Sequence, residues 1–205
     1  MSLMNTRERI IAAADQLFYE RGFAHTSFAD VAAAVEISRG NFYHHFKTKD
    51  DILEAVISLR LAKTRAMLEG WEAEGSTPAE RIQGFIGILI ANRKSIMAHG
   101  CPVGSLCNEL AKLEHEAHVA AREIFALFRD WLTRQFAACG RKRDARTLAL
   151  HLLARSQGVA TLANAFGDEA FIRAEVRDMC QWVDAQLERS ARPSTSKTSR
   201  KDKKG

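Results

Sequence analysis

Cysteine is scarce in this chain of 205 residues: four, at Cys101, Cys107, Cys139 and Cys180, too widely spaced to read as a disulfide framework. In a cytosolic protein of this size they read as reduced thiols, so stability must come from packing. Long apolar runs are missing too. No stretch can span a bilayer, and the start, MSLMNTRERI, has no apolar core of signal-peptide length, which predicts a cytoplasmic protein that does not enter a membrane. The first residues, Met1, Ser2 and Leu3 ahead of Met4, look like a cloning remnant. Catalytic signatures are absent as well: there is no glycine-rich phosphate loop, no G-x-S-x-G and no clustered metal ligands, so neither an enzyme nor a cofactor is expected. His99, Cys101, Cys107, His115 and His118 contain two histidines three apart. Their spacing matches no compact zinc pattern, and hydrogen-bonded or solvated histidines are expected instead of a metal.

Excess charge is also missing from most of the chain. Residues 1–60 hold seven Lys/Arg against eight Asp/Glu, residues 61–190 hold seventeen against sixteen, and residues 191–205 hold six against one. The tail therefore carries the whole net charge of +5. Nucleic-acid binding cannot be read from bulk charge here; only the local placement of cations tests it. From Pro193 onward no apolar side chain is available to bury, which predicts disorder.

What is present is a specified pair of short helices in SFADVAAAVEISRGNFYHHF, Ser27 to Phe46. Ser27 with Asp30, and Ser38 with Asn41, place a capping side chain three residues before a partner at each start. Phe28, Val31, Ala32 and Val35 recur on one face, as a half-buried helix requires. Ile37 closes the elbow. The run Ala32, Ala33, Ala34 allows a close crossing, and the second helix presents Ser38, Arg39, Gly40, Asn41, Tyr43 and His44 while Phe42 and Phe46 turn inward. That pattern is a helix-turn-helix. A preceding helix, Asn5 to Arg21, carries Ile10, Ile11, Ala14, Leu17 and Phe18 as its stripe, and Phe23 plugs the resulting three-helix core.

The stretch SRGNFYHHFKTKDDIL resembles the end of the DNA-binding domain in the TetR (tetracycline-repressor) family of bacterial transcription regulators, and the likeness covers about Thr6 to Val56. Such sequences often carry glycine at the elbow, where this chain has Glu36; a left-handed non-glycine residue there costs about 1 kcal/mol. The resemblance implies that Thr26, Ser27, Tyr43 and Lys49 hold phosphates. It also implies that Arg39, Asn41 and His44 reach base edges or neighbouring phosphates, with Ser38 and Gly40 on the same face.

Further helices follow from capping and periodicity. One begins at Thr48 with Asp51 and runs to about Trp71, long enough at roughly 36 Å to join two domains. Gly75-Ser76 breaks it. Thr77-Pro78-Ala79-Glu80 starts another, carrying Ile82, Phe85, Ile86, Leu89, Ile90, Ile96 and Met97. After the His99-Gly100-Cys101-Pro102 break come Val103 to Leu113, Glu114 to Ala138, and two last helices, Asp144 to Phe166 and Asp168 to Ser190. The stripe of the first of these two is Leu148, Leu152, Leu153, Val159, Ala160, Ala163 and Phe166; that of the second is Ile172, Val176, Met179, Val183 and Leu187. A pair of such helices cannot bury a broad apolar face alone, which predicts a homodimer built as a four-helix bundle.

The expected architecture is all-α. An N-terminal three-helix helix-turn-helix domain spans 5–50, a helical effector-binding and dimerisation domain 51–190, and a basic tail 191–205. A twofold dimer would read two half-sites roughly 34 Å apart in a near-palindromic operator. The family resemblance implies release from that operator by a small-molecule effector, with Phe85, Leu89, His99, Cys101, Leu106, Cys107, Phe125, Phe128 and Trp131 as candidate lining, or as ordinary core. Cys101 follows a glycine and precedes a helix start, where amide donors favour a thiolate. The Gly100-Cys101 segment resembles the N-ethylmaleimide-reductase repressor subgroup, implying a cysteine that senses electrophiles. An effector-independent architectural or cell-cycle DNA binder on the same fold is the alternative function.

Overall fold

The computed structural model describes residues 5–74 and 77–191, with the backbone alone for Arg39, Arg189, Ser190 and Ala191. The expectations for Met1 to Met4, the Gly75-Ser76 break, the Arg39 side chain and the tail after Ala191 lie outside the described residues.

Every regular element among the described residues is an α-helix: α1 Thr6–Arg21, α2 Phe28–Val35, α3 Arg39–His45, α4 Lys49–Ala73, α5 Pro78–Ala91, α6 Arg93–His99, α7 Pro102–Lys112, α8 His118–Ala138, α9 Ala145–Phe166 and α10 Glu169–Ala191. Four starts are set by reciprocal capping boxes, Asn5 with Glu8, Ser27 with Asp30, Thr48 with Asp51 and Thr77 with Glu80. Each satisfies two amide donors that the helix itself leaves orphaned. The same bonds hold three of the carboxyls below the usual carboxylate range. For Asp30 the Ser27 hydroxyl contributes most and then the Ser27 amide; for Asp51 and Glu80 the amides of Thr48 and Thr77 lead and their hydroxyls follow.

The elbow after α2 is left-handed at Glu36, φ 57° and ψ 46°. Backbone bonds from Glu36 N–H to Ala33 O at 3.2 Å and from Ile37 N–H to Ala32 O at 3.3 Å close it. The Arg9 guanidinium reinforces it by donating to Val35 O at 2.8 Å. Those bonds hold a conformation that glycine would adopt without strain.

Two predicted boundaries differ. The helix expected from Pro78 through Met97 breaks at Asn92, φ −104° and ψ 12°, whose side-chain amide donates back to Ile88 O at 3.1 Å and competes with helix continuation. The helix expected from Glu114 begins only at His118. Glu114 is left-handed, φ 50°, and His115 N–H reaches back to Leu110 O at 3.0 Å, so α7 ends in its own closing turn.

Packing forms two apolar clusters. The N-terminal one gathers Ile10, Phe18, Val31, Phe42 and Phe46 around Ile52, Leu53, Val56 and Ile57 of α4, and takes Leu106, Cys107 and Leu110 from α7. The C-terminal one contains Leu68 of α4 together with faces of α5, α6, α8, α9 and α10. Helix α4 therefore runs through both, and α7 braces the first from behind. On α9 the stripe residues from Leu148 to Ala163, expected to need a second subunit, are buried within the chain itself, and only Phe166 at the end of the stripe is left exposed, at 76%. It is the last residue of α9, next to the Gly167 turn. Among the described residues no helix is long and apolar enough to cross a membrane, and no group of three or more His, Cys, Asp or Glu is arranged to hold a metal ion.

Candidate nucleic-acid interface and ligand cavity

Helix α3 is held by aromatic packing on its inner side. Phe42 meets Phe28 edge to face at 5.2 Å, and Tyr43 stacks on Phe28 at 5.6 Å and 26°. With Phe42 and Phe46 buried, Ser38, Gly40, Asn41, Tyr43 and His44 face outward, Tyr43 at 47% exposure. A Cβ at Gly40 would meet nothing in the chain, so internal packing does not demand glycine there. Ser27 is exposed but already engaged, its hydroxyl donating to Asp30 at 2.5 Å while it caps α2.

Thr26 and Lys49 are placed otherwise than as free phosphate ligands. Thr26 is 1% exposed, and its hydroxyl donates to Gly22 O at 2.8 Å. The Lys49 ammonium donates to Phe23 O at 2.9 Å and Thr26 O at 3.1 Å and sits 4.2 Å from the centre of the Phe23 ring. Together they clasp the α1–α2 loop, the ammonium drawing two loop carbonyls together while it lies over the Phe23 ring. The Glu109 carboxylate of α7 grips the same loop, accepting from Phe23 N–H at 2.9 Å and Ala24 N–H at 2.8 Å.

A cavity of about 250 Å³ lies between α1, α5, α6, α8, α9 and the start of α7. It brings together five of the nine candidates, Phe85, Leu89, Cys101, Phe125 and Phe128. Phe85 and Phe128 tilt against each other at 5.6 Å. His99 lies beside it, edge to face with Tyr19; Leu106 and Cys107 pack in the N-terminal cluster, and Trp131 packs against Trp71. Burial pushes the Cys107 thiol up to about 11, which makes it a poor nucleophile. Cys101 remains in the wall, where it caps α7 by accepting from Gly104 N–H at 3.4 Å.

Sequence reasoning missed Tyr19, Ser156 and Gln157 in the lining. Tyr19 sits off the α1 stripe, and neither period nor motif marks it. It is the residue that joins the cavity to the DNA-binding unit: its hydroxyl donates to Gly100 O at 2.8 Å. Burial, with the neighbouring Cys101 adding to it, raises the phenol to about 12, so it stays a donor at neutral pH. A second tie is Arg60 of α4, whose guanidinium donates to Asp15 Oδ1 at 2.6 Å and Pro102 O at 2.6 Å. Helices α1 and α4 are thus fastened to the Gly100–Pro102 segment that forms one wall of the cavity.

Comparison with known proteins finds matches for both parts of the chain. Residues 10–56 match the family model described as bacterial regulatory proteins, tetR family, and residues 78–191 match that of the LmrA/YxaF-like transcriptional regulator C-terminal domain. The chain is 27% identical over 127 residues to an uncharacterized HTH-type transcriptional regulator in the lacX 3′ region of Lactococcus lactis subsp. lactis, covering 61% of this chain and 65% of that protein. It is 25% identical over 140 residues to the HTH-type transcriptional repressor DhaR of Mycobacterium sp. (strain GP1), covering 68% and 67%. The matched stretch spans about two thirds of the length of these curated relatives. A TetR transcriptional regulator from Legionella pneumophila, solved by crystallography, superposes with a TM-score of 0.79 at 28% identity, over 91% of this chain and 99% of that one. With one family model at its DNA-reading end and a second over residues 78–191, more than half its length, this chain belongs to the TetR family of bacterial regulatory proteins.

Proposed function

We propose that the protein is a cytoplasmic, sequence-specific transcriptional repressor that binds a near-palindromic DNA operator as a homodimer and is released by a small molecule. The observation that carries this reading is that Tyr19, a residue of the DNA-binding unit, lines the cavity and is hydrogen-bonded to Gly100 O, next to Cys101 in the cavity wall. A molecule that presses on Cys101, Pro102 and Val103 displaces the carbonyls to which Tyr19 and Arg60 are tied, and α1 and α4 carry α3 with them. Release requires that the molecule bind the displaced arrangement more tightly than the DNA-competent one. The cavity and these ties favour the regulated protein over an architectural DNA binder, which needs neither.

Dimerisation rests on α9. Leu150, Ala154, Gly158, Leu162 and Phe166 recur at every fourth position along one exposed, uncharged ridge, the kind of surface that interdigitates with a second helix. A Cβ at Gly158 would meet nothing within the chain, leaving room for a second copy.

In this reading Asn41 contacts a base and Tyr43 a phosphate. Asn41→Ala weakens binding to a duplex recovered by selection from genomic fragments by about 1–3 kcal/mol and relaxes sequence preference at one position of each half-site. Tyr43→Ala weakens all sequences alike. Fluorescence anisotropy at fixed salt measures both, and an unchanged affinity in both variants contradicts the placement of α3 on DNA.

A further inference from the structure

The cavity has a polar neighbour. A wider recess of about 400 Å³ opens beside it, bordered by Ser105, Asn108, Thr161 and Asn164, and Cys101, Phe125 and Gln157 line both spaces. Neither lining contains an Asp, Glu, Lys, Arg or His. An ionised ligand would lose its hydration there without meeting an opposite charge, a cost that neutral molecules escape.

Most polar groups in the inner wall are already spent. The Tyr19 hydroxyl donates to Gly100 O, the Ser156 hydroxyl to Leu153 O at 2.7 Å, and the Asn92 amide to Ile88 O. Gln157 differs. It stands where the two spaces meet, and its side-chain amide, able both to donate and to accept, is left for a ligand. Its position depends on Gly104: a Cβ added at residue 104 would lie 2.6 Å from Gln157 Oε1. Gly104 lies inside α7 with no left-handed φ to explain it, and glycine within a helix costs stability relative to alanine. The space it leaves is the space that the amide occupies.

Resting on the effector cavity proposed above, we propose that Gln157, admitted by Gly104, is the specificity arm of the site. It selects an uncharged aromatic molecule whose ring system fills the apolar chamber against Phe85 and Phe128 and whose hydroxyl or similar neutral group meets the Gln157 amide. At the packing density of protein interiors a chamber of about 250 Å³ accepts a bicyclic ring system.

The test is equilibrium dialysis of the full-length protein against naphthalene, 2-naphthol and 2-naphthoate at neutral pH. The parent binds 2-naphthol about fivefold more tightly than naphthalene, as one net hydrogen bond gives, and at least about tenfold more tightly than 2-naphthoate, whose charge must be desolvated. Gln157→Leu removes the preference for the hydroxyl, so that 2-naphthol and naphthalene bind alike. Gly104→Ala, whose methyl group displaces the amide and meets Cys101 only at ordinary contact distance, has the same effect. A hydroxyl preference that survives in both variants, or 2-naphthoate binding as tightly as 2-naphthol, overturns the assignment of Gln157 while leaving the effector cavity standing. Failure of all three probes to bind overturns both.

Discussion

Arg60→Ala is expected to cost about 3 kcal/mol of folding stability, near the lower end of what breaking one side of a buried ion pair removes. Arg60 is 8% exposed. Its guanidinium joins three elements, pairing with the Asp15 carboxylate of α1 at 2.6 Å and donating to Pro102 O at the start of α7. Alanine leaves the Asp15 carboxylate, 20% exposed, without its close partner, and losing a charge-assisted bond to a largely buried acceptor is costly. Lys63, 3.6 Å from Asp15 but largely solvent-exposed, recovers part of the charge interaction, which places the effect near the lower bound. Arg60→Lys is expected to fall between, since an ammonium supplies charge without the planar fork that spans both partners. Urea unfolding measures the series; a loss below about 1 kcal/mol for the alanine variant would mean that the pair behaves as a surface contact and does not fasten the two units.

If the proposed dimer forms through α9, Leu162→Glu turns it into monomers and lowers operator affinity at least about a hundredfold. Leu162 is 44% exposed in the single chain, so glutamate is tolerated by the fold. In a twofold interface each substitution appears twice, and two carboxylates would be buried against an apolar ridge with no cation on that ridge to pair them. Sedimentation equilibrium reads the assembly state and anisotropy the affinity. A variant that remains dimeric removes α9 from the interface.

The parts of this molecule that were legible in sequence are those decided within a few residues. Asn5 with Glu8, Ser27 with Asp30, Thr48 with Asp51 and Thr77 with Glu80 announce their helices because donor and acceptor lie three apart. The break at Asn92 was hidden because an apolar period continues through it, while the interruption comes from one amide bonding back to Ile88. A stripe reveals that a face avoids water, not whether its own chain or a second copy covers it: Leu148 to Ala163 are covered by their own chain and Phe166 is not. The cavity was half visible for a related reason. Apolar periodicity marks Leu106, Cys107 and Trp131 as buried just as it marks Phe85 and Phe128, but which void each borders depends on how distant helices cross. Tyr19 and Gln157 carry no local signal; their roles arise where α1 meets Gly100 and where α9 passes Gly104. Lys49 and Thr26 show the converse, positions whose family role is legible but whose side chains fold inward on this loop.

The central claim is that two joined subunits present two α3 helices at a set separation and on one face of DNA. It is tested most directly by comparing affinity for the selected near-palindrome with affinity for the same duplex carrying five extra base pairs at its centre, about half a helical turn. The account predicts a fall of at least about a hundredfold, because the second half-site is rotated to the far side of the duplex beyond reach of the second helix. Equal affinity for the two duplexes would contradict it.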